Sequence, residues 1–278
     1  MIPIKTQEEI EIMAEGGKIL AKIMKELEKK VRPGITTKEL ERLAESLILK
    51  SGAQCSFKNY KSTDGETVRP YPSCLCTSIN EEIVHCIPSD RVLKEGDIIS
   101  LDLGIFYKGF HSDMAITLPV GKISPEAQRL IRVTKKALKR GIKKARVGNT
   151  FGDIGNTIQR YVESQAYTAS EAVGPARAEL GHRGFNVVRE LCGHGIGREL
   201  HEEPKILNYG KRHTGEEIKE GMVFCIEPMV SIGDWQIKKT KDGYGYQTQD
   251  GSLSAHFEHT MAVTKDGPWP LTNFFKKV

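Results

Sequence analysis

Apolar residues recur at helical spacing in four stretches of the chain, and each stretch follows a capping residue. The sequence TQEE at residues 6–9 is a capping box, and Ile10, Met13 and Leu20 then fall on one helical face. TTKE at 36–39 repeats this arrangement before a second periodic run. The pattern predicts four helices, over about residues 7–30, 37–52, 124–145 and 151–166.

Between the two helix pairs, apolar runs flank a turn and predict a β-hairpin. Residues 98–118 read IISLDLGIFYKGFHSDMAITL, with the turn at Tyr107-Lys108-Gly109. A turn centred between residues 107 and 108 would place Asp102 directly opposite Asp113 in the antiparallel pair. Like charges in opposed positions are destabilising, so a divalent cation between them is one explanation. Two solvated hairpin aspartates are the alternative, and this stretch alone leaves both open.

The second half of the chain repeats the plan of the first. IKEGMVFCIEP at 218–228 resembles LKEGDIISLDLG at 93–104, and Asp102 and Glu227 follow their KEG glycines at the same distance. The repeat predicts one catalytic domain of two related halves, about 1–122 and 123–278, with a site where the halves meet.

A second acidic pair makes the cation hypothesis stronger. A hairpin turning at Asp242-Gly243 would place Glu227 opposite Glu258. An acidic pair at equivalent places in both halves favours a shared cation site. His194 lies between glycines in CGHGIG, just upstream of this second acidic pair, and is a candidate ligand.

Four carboxylates and one imidazole form an oxygen-rich donor set. Such a set suits two divalent ions such as Co, Mn, Fe(II) or Zn better than a thiolate site would. Two ions can activate a water, and a carboxylate can carry its proton, which predicts metal-assisted hydrolysis with an amide as a plausible target. The sequence has no G-x-S-x-G elbow, Walker loop or HExxH motif.

The remaining histidines are weaker candidates. His85 and His201 each lie in a short loop ahead of a KEG segment, where they could shape a substrate pocket or only complete a loop. His259 follows Glu258 directly, so in a strand its side chain points to the opposite face. The sequence assigns no role to five histidines, His111, His182, His213, His256 and His259.

Composition and charge limit the alternatives. The 278 residues carry a net charge of +5, which permits weak attraction to RNA or a ribosomal surface without indicating specific nucleic-acid binding. We expect no membrane span and no signal peptide, since there is no long apolar run and the first residues include acidic ones. The six cysteines form no CxxC pair and are predicted to be free thiols in a reducing cytoplasm.

Several of these motifs, in this order, resemble type I methionine aminopeptidases, which are pita-bread metallopeptidases. The motifs are LDLG followed by HSD, then CGHGIG, HEEP, IEPM and SAHFEHT. The resemblance covers nearly the whole chain. It implies an α+β pita-bread fold with two pseudo-symmetric halves, a central antiparallel sheet and helices on its outer face. It also implies removal of the initiator methionine from nascent chains whose second residue is small, with nothing to require more than a monomer.

The resemblance also implies roles for individual residues. Asp113 and Glu258 would bridge two ions, Asp102 would bind one of them, and His194 and Glu227 would bind the other. Glu227 would shuttle the proton of the bridging water, and His85 and His201 would contact the substrate and the tetrahedral intermediate. The nominated side chains of the methionine pocket are Tyr60, Tyr71, Cys76 and Tyr244.

This chain departs from the family pattern in three places. Tyr244 stands where the family often has Trp, and it keeps a flat ring while adding a hydroxyl. Extra residues occur near 61–70 and 167–182, the first beside the expected pocket. These departures concern the shape of the pocket and the second-residue preference, but not the metal ligands.

Two other functions are alternatives to methionine aminopeptidase activity. Xaa-Pro peptidases of the same fold have longer chains with an extra N-terminal domain, whereas the first helix here begins near residue 6. A non-catalytic RNA- or ribosome-binding relative would tend to lose metal ligands, and all five are intact. Methionine release from a Met-Ala-Ser peptide separates the three.

Overall fold

A computed structural model describes residues 2–61, 69–165 and 184–273 of the chain. The extra segment predicted near 61–70 lies mostly outside these residues, and the one at 167–182 lies wholly outside them. Four helices occur in the described part, α1 (Gln7–Glu28), α2 (Thr37–Lys50), α3 (Pro125–Ile142) and α4 (Phe151–Glu163).

The helix predictions are confirmed to within a few residues, because the capping residues fix where each helix begins. The Thr6 and Thr36 side chains accept hydrogen bonds from the backbone N–H groups of Glu9 and Glu39, and both capping boxes are complete. Ser124 caps α3 in the same way through Ala127.

Short and long strands fill the segments between and after the helices. In chain order the strands of the described residues are β1 (Gln54–Cys55), β2 (Leu75–Ile79), β3 (Glu82–Val84), β4 (Ile98–Tyr107), β5 (Phe110–Pro119), β6 (Asn186–Val187), β7 (Gly193–Gly195), β8 (Glu202–Ile206), β9 (Val223–Ile226), β10 (Met229–Ser231), β11 (Ile237–Lys239), β12 (Tyr246–Thr248), β13 (Ser254–His256), β14 (His259–Thr264) and β15 (Gly267–Pro270).

All the strand pairs in the described part are antiparallel, and two larger sheets dominate. In the first sheet, β4 pairs with β5 along one edge and with β1 and β2 along the other. In the second sheet the order is β15-β14-β9-β7-β8. Two small sheets, β13-β10-β6 and β11-β12-β3, lie beside them.

Each larger sheet has its own helix pair and its own apolar core. Helices α1 and α2 bury one face against the first sheet, with Leu20, Leu27 and Leu40 fully buried there. Helices α3 and α4 contribute Leu130, Ile154 and Ile158 to the core of the second half. Burying each such side chain contributes about 1.5–3 kcal/mol. Each helix pair therefore covers one face of its sheet with apolar side chains. The polar groups described below lie on or next to the strands.

The register predicted for the first hairpin is wrong by two residues. Asp102 pairs with Ala115, and Asp113 pairs with Gly104, because the chain turns at Lys108-Gly109 rather than one residue earlier. Both turn residues have positive φ, 48° for Lys108 and 87° for Gly109. Since side chains alternate with a period of two, the two-residue error leaves both carboxylates on the same face as diagonal neighbours.

The register predicted for the second half is confirmed. Residues on either side of the acidic pair have the expected partners, His259 with Ile226 and His256 with Met229. The hairpin tip is also as predicted, because Ile237 pairs with Thr248 and the chain turns at Asp242-Gly243.

The expectation that all six cysteines are free thiols is wrong for one pair. Cys55 and Cys74 form a disulfide, with their Cα atoms 5.2 Å apart. Strands β1 and β2 follow one another along the same edge of β4, so the end of β1 meets the start of β2. The two cysteines are 19 residues apart in sequence, so no local sequence pattern predicts this contact. Cys76, Cys86, Cys192 and Cys225 are not in a disulfide.

No helix within the described ranges is long and apolar enough to cross a membrane.

Candidate metal and substrate site

Four carboxylates converge where the two larger sheets meet. Asp102 lies on β4 and Asp113 on β5, whereas Glu227 directly follows β9 and Glu258 directly precedes β14. Their exposed fractions are 7%, 3%, 9% and 2%, so all four are withdrawn from bulk water. The structure thus brings together the acidic residues of both halves that the sequence singled out.

Backbone hydrogen bonds hold the two acidic pairs against each other. The Asp113 N–H donates to the Thr260 hydroxyl at 2.9 Å, and that hydroxyl donates to the Asp113 carbonyl oxygen at 2.8 Å. The Glu258 N–H donates to the Ala115 carbonyl oxygen at 2.9 Å. These bonds link β5 to the start of β14, and they fix the carboxylates on rigid backbone.

His194 faces this cluster from β7. Its Nε2 lies 3.6 Å from Glu227 Oε1 and 4.0 Å from Glu258 Oε1. Its Nδ1 lies 2.9 Å from the Gly195 carbonyl oxygen, and a hydrogen bond donated by Nδ1 leaves the Nε2 lone pair free for a metal. A Cβ on Gly193 would collide with the Cys225 carbonyl oxygen, and one on Gly195 with that of Glu203. The flanking glycines are therefore needed for β7 to lie between its neighbours.

The protonation behaviour of the cluster reflects buried like charges. Burial is the main cause that raises the pKa of Asp102, Glu227 and Glu258, and nearby carboxylates raise these pKa values further. Burial raises the pKa of Asp113 to about 7. Burial lowers the pKa of His194 to about 4, so the imidazole is neutral at pH 7. A bound cation would offset these buried like charges.

Unpaired buried atoms show that this donor set fits divalent cations. Asp102 Oδ1 and Glu258 Oε1 have no hydrogen-bond partner, and an unpaired buried carboxylate oxygen is costly without a cation or donor. Within the described residues, donor atoms lie within 4.8 Å of one another in three groups: Asp102, Asp113 and Glu258; His194, Cys225 and Glu258; and Glu227, His256 and Glu258. Oxygen and imidazole donors suit Mn, Fe(II), Co or Zn.

The sequence reasoning missed His256 in the last group. Its Nε2 lies 3.4 Å from Glu227 Oε2, and the side chain is 1% exposed. The alternation of side chains that directs His259 away from Glu258 also puts His256, two residues before Glu258, on the same face as that ligand. His259 contacts Thr272 instead, at 2.9 Å. Strand alternation therefore also predicts that His256 faces the cluster, although it was used only to assign His259 to the opposite face.

The structure places His85 and His201 on the open side of the cluster. The His201 ring centroid is 4.3 Å from that of His194. Tyr60 Oη lies 2.6 Å from His201 Nδ1, and a hydrogen bond donated by the hydroxyl leaves Nε2–H free to donate. His85 has a positive φ of 60°, and desolvation lowers its pKa to about 4. Both imidazoles are thus neutral N–H donors, since desolvation also lowers the pKa of His201.

The loop that carries His201 is anchored from the far end of the chain. The Lys5 ammonium pairs with the Glu202 carboxylate, and their side chains are only 5% and 10% exposed. Glu202 also accepts a hydrogen bond from the Arg198 N–H at 2.8 Å. The Lys5 N–H donates to the Gly221 carbonyl oxygen at 2.8 Å.

Three of the four nominated pocket residues lie close to one another, and one of them, Cys76, is the strand partner of Asp102. Tyr71 and Tyr244 make an edge-to-face contact with ring centroids 5.9 Å apart. Cys76 on β2 is buried and pairs directly with Asp102 across the strands. Phe57, which the sequence did not suggest, joins this wall through an edge-to-face contact with Tyr71 at 6.5 Å. Tyr60 lies instead beside His201.

Comparison with known proteins identifies the family of the chain. The chain matches metallopeptidase family M24 over residues 11–265. It is 44% identical to the methionine aminopeptidase of Clostridium perfringens over 272 residues, which cover 98% of this chain and 99% of that protein. It is 43% identical to methionine aminopeptidase 1 of Bacillus subtilis, over 96% of this chain and 97% of that one.

Solved structures give the same result for the fold. The crystal structure of a Thermotoga maritima methionine aminopeptidase superimposes with a TM-score of 0.87 at 40% identity, covering 98% of this chain and 100% of that one. A prolidase from Pyrococcus furiosus has a TM-score of 0.69 at 23% identity, which supports the shared fold only. The expected α+β pita-bread fold is confirmed, and the chain belongs to metallopeptidase family M24.

Proposed function

We propose that this chain is a metal-dependent aminopeptidase that removes the initiator methionine from nascent proteins whose second residue is small. The observation that carries the proposal is the buried cluster of Asp102, Asp113, Glu227 and Glu258 with His194 at its edge. Relatives of the same length named methionine aminopeptidase support the substrate class. The chain would act as a single catalytic domain, since its ligands come from both 1–122 and 123–278.

The ligand assignment is the one that the resemblance to methionine aminopeptidases implies, and the grouping of Asp102, Asp113 and Glu258 supports part of it. Asp102 would bind one divalent ion, His194 and Glu227 would bind a second, and Asp113 and Glu258 would contact both. When bound, the ions would lower the pKa of a water and polarise the scissile carbonyl group. Co, Mn, Fe(II) and Zn all suit these donors, so the physiological metal is left to direct metal analysis.

Three side chains would handle protons and developing charge. Glu227 would accept the proton of the attacking water and return it to the leaving amine, since a positioned carboxylate can act first as general base and then, once protonated, as general acid. His201 and His85 would donate hydrogen bonds to the substrate and to the oxygen of the tetrahedral intermediate.

The methionine side chain would lie against the aromatic wall. Tyr71 contacts Tyr244, Cys76 pairs with Asp102 across the strands, and Tyr60 lies beside His201. A thioether packs favourably against aromatic rings, which suits methionine better than a charged residue. The small second residue would then lie near His201.

Peptide hydrolysis tests the proposal directly. We expect the Mn- or Co-loaded protein to release methionine from Met-Ala-Ser, and to act poorly on Met-Leu-Ser and not on Ala-Ala-Ser. Leu-Pro serves as the substrate of the Xaa-Pro alternative. No methionine release with any of Mn, Co, Fe(II) or Zn would refute the proposal, and cleavage of Leu-Pro alone would favour the alternative.

Removing the Tyr60 hydroxyl should weaken catalysis through His201. Tyr60→Phe loses one hydrogen bond of about 0.5–1.5 kcal/mol, so we expect kcat/KM on Met-Ala-Ser to fall about 2- to 10-fold. Tyr209→Phe, on the α4 side of the chain, is the matched control and should retain wild-type kinetics. Unchanged kinetics in Tyr60→Phe would mean that His201 does not depend on this bond.

We further propose that the protein works as a monomer at the ribosomal surface in the cytoplasm. Helix α3 presents Arg132, Lys136 and Lys139 on one exposed face, and exposed Lys143 follows directly after its last residue. No acidic residue occurs between Glu126 and Asp153. This face suits phosphate groups of RNA. The Cys55–Cys74 disulfide is uncommon in a reducing compartment, so the location needs its own test by fractionation.

Charge reversal on α3 tests the ribosome contact. Lys136→Glu/Lys139→Glu/Lys143→Glu should abolish cosedimentation with ribosomes at low salt and leave kinetics on Met-Ala-Ser unchanged. The same change at three exposed lysines of α1 is the charge-matched control, Lys18→Glu/Lys22→Glu/Lys25→Glu. Equal loss in both triple variants would indicate a net-charge effect without a site on α3.

A further inference from the structure

His256 is a buried polar side chain for which the reaction described above has no use. It is 1% exposed, and neither ring nitrogen has a hydrogen-bond partner. Most buried side-chain nitrogens in proteins are paired, because an unpaired one loses its bonds to water without compensation. A histidine retained under these conditions requires a partner within reach.

The backbone holds this imidazole firmly in place. The His256 N–H donates to the Thr117 hydroxyl at 2.8 Å, and that hydroxyl donates to the His256 carbonyl oxygen at 2.8 Å. His256 also pairs with Met229 across β13 and β10. The residue is therefore fixed from both neighbouring elements, and its ring cannot withdraw from the cluster by a backbone shift.

The Glu227 carboxylate lies within reach of the His256 ring. His256 Nε2 lies 3.4 Å from Glu227 Oε2, while His194 Nε2 lies 3.6 Å from Glu227 Oε1. The carboxylate is thus bracketed by two imidazoles, one at each oxygen. A second contact holds the backbone of Glu227, since the Asn208 side-chain amide donates to the Glu227 backbone carbonyl oxygen at 3.0 Å.

We propose that His256 is a positioning residue, which donates a hydrogen bond from Nε2 to Glu227 Oε2 and so sets the rotation of that carboxylate. The inference rests on the proposed function of Glu227. With Oε2 held by His256, Oε1 stays directed toward His194, so that both can bind the same cation. Ligating carboxylates and imidazoles generally depend on such outer hydrogen bonds for their orientation.

The arrangement has a consequence for the proton shuttle. A carboxylate free to rotate would alternate between its two oxygens, and each rotation would break its alignment with the attacking water. His256 confines Glu227 to one orientation without touching the substrate. Its loss should therefore lower kcat and cation affinity together, and should leave KM for the peptide nearly unchanged.

Three substitutions at position 256 test the proposal. His256→Gln keeps an N–H donor at about the distance of Nε2, His256→Asn is polar but too short to reach Glu227, and His256→Leu fills the space without a donor. We expect Asn and Leu to lower kcat on Met-Ala-Ser and Mn affinity about 10- to 100-fold. Gln should restore most of both. His259→Gln is the control, because His259 is a half-buried histidine of the next strand, β14, and contacts Thr272.

The readouts separate the possible outcomes. Isothermal titration of the metal-free protein with Mn gives affinity and stoichiometry without reference to turnover. Wild-type Mn affinity and kcat in His256→Asn would overturn the proposal. The proposal would also be overturned if His256→Gln bound Mn as weakly as His256→Leu and took up one ion fewer than the wild type. That result would make His256 a direct ligand together with Glu227 and Glu258. If the wild type releases no methionine, the proposed function fails, while the Mn titrations still report on His256.

Discussion

Replacing Glu227 with glutamine is expected to lower kcat for methionine release from Met-Ala-Ser by at least about 10²-fold, and toward 10⁴-fold. Glutamine keeps the size of the side chain but can neither accept the proton of water nor bind a cation as a charged ligand. General acid–base groups contribute about 10²- to 10⁴-fold to a rate. Glu227 would lose both roles in one substitution, whereas the fold should remain because no hydrogen bond of the described backbone uses its carboxylate.

Single-turnover kinetics at saturating Mn would measure this loss separately from weakened metal binding. Glu220→Gln is the matched control, because Glu220 is exposed in the same segment and should retain wild-type activity. A near-normal kcat in Glu227→Gln would show that another group carries the proton.

The second large effect is expected from metal removal, and it depends on pH. Burial raises the pKa of all four carboxyl groups in the folded protein, to about 7 for Asp113. The metal-free fold therefore binds protons that the unfolded chain releases near pH 4. Stability from these groups is fully present below the unfolded-state pKa, and it is lost as pH rises through the folded-state values.

Calorimetry of the chelator-treated protein would measure this dependence. We expect Tm to fall between pH 5 and pH 8, by roughly 2–4 °C for each kcal/mol lost. Mn at 100 times its Kd should restore about 2.7 kcal/mol at pH 8. Glu258→Gln removes one buried charge and should flatten the fall, whereas Glu220→Gln should not. A metal-free Tm that is constant or rises over this range would contradict the assignment of the cluster.

Local sequence signals predicted a large part of the fold. The helix starts follow from Thr6, Thr36 and Ser124, because a capping side chain bonds to a backbone N–H only three residues away. The second hairpin was predicted in register because Asp242-Gly243 is a preferred turn pair and lies at the centre of the loop between Lys239 and Tyr246. For the first hairpin, Lys108 adopts a positive φ that is uncommon for a residue with a side chain, so the turn was misplaced.

The candidate ligands were also within reach of the sequence, because strand alternation decides which face a side chain takes. The two-residue error preserved that face, so Asp102 and Asp113 still lie together. Contacts between distant loops were not within reach. The bond from Tyr60 to His201 and the Cys55–Cys74 disulfide depend on which strands share an edge, and apolar periodicity carries no information about that.

The ion pair between Lys5 and Glu202 has a consequence for the order in which the chain folds. Its partners are separated by 197 residues, and the Asp113–Thr260 bonds that join the two sheets span 147. Contacts of such long range form late, since a large loop must close before they stabilise the chain. The loop of His201 can therefore become ordered only after most of the polypeptide has been synthesised. A ribosome-bound fragment that ends before β14 would hold the first acidic pair but would lack a completed site.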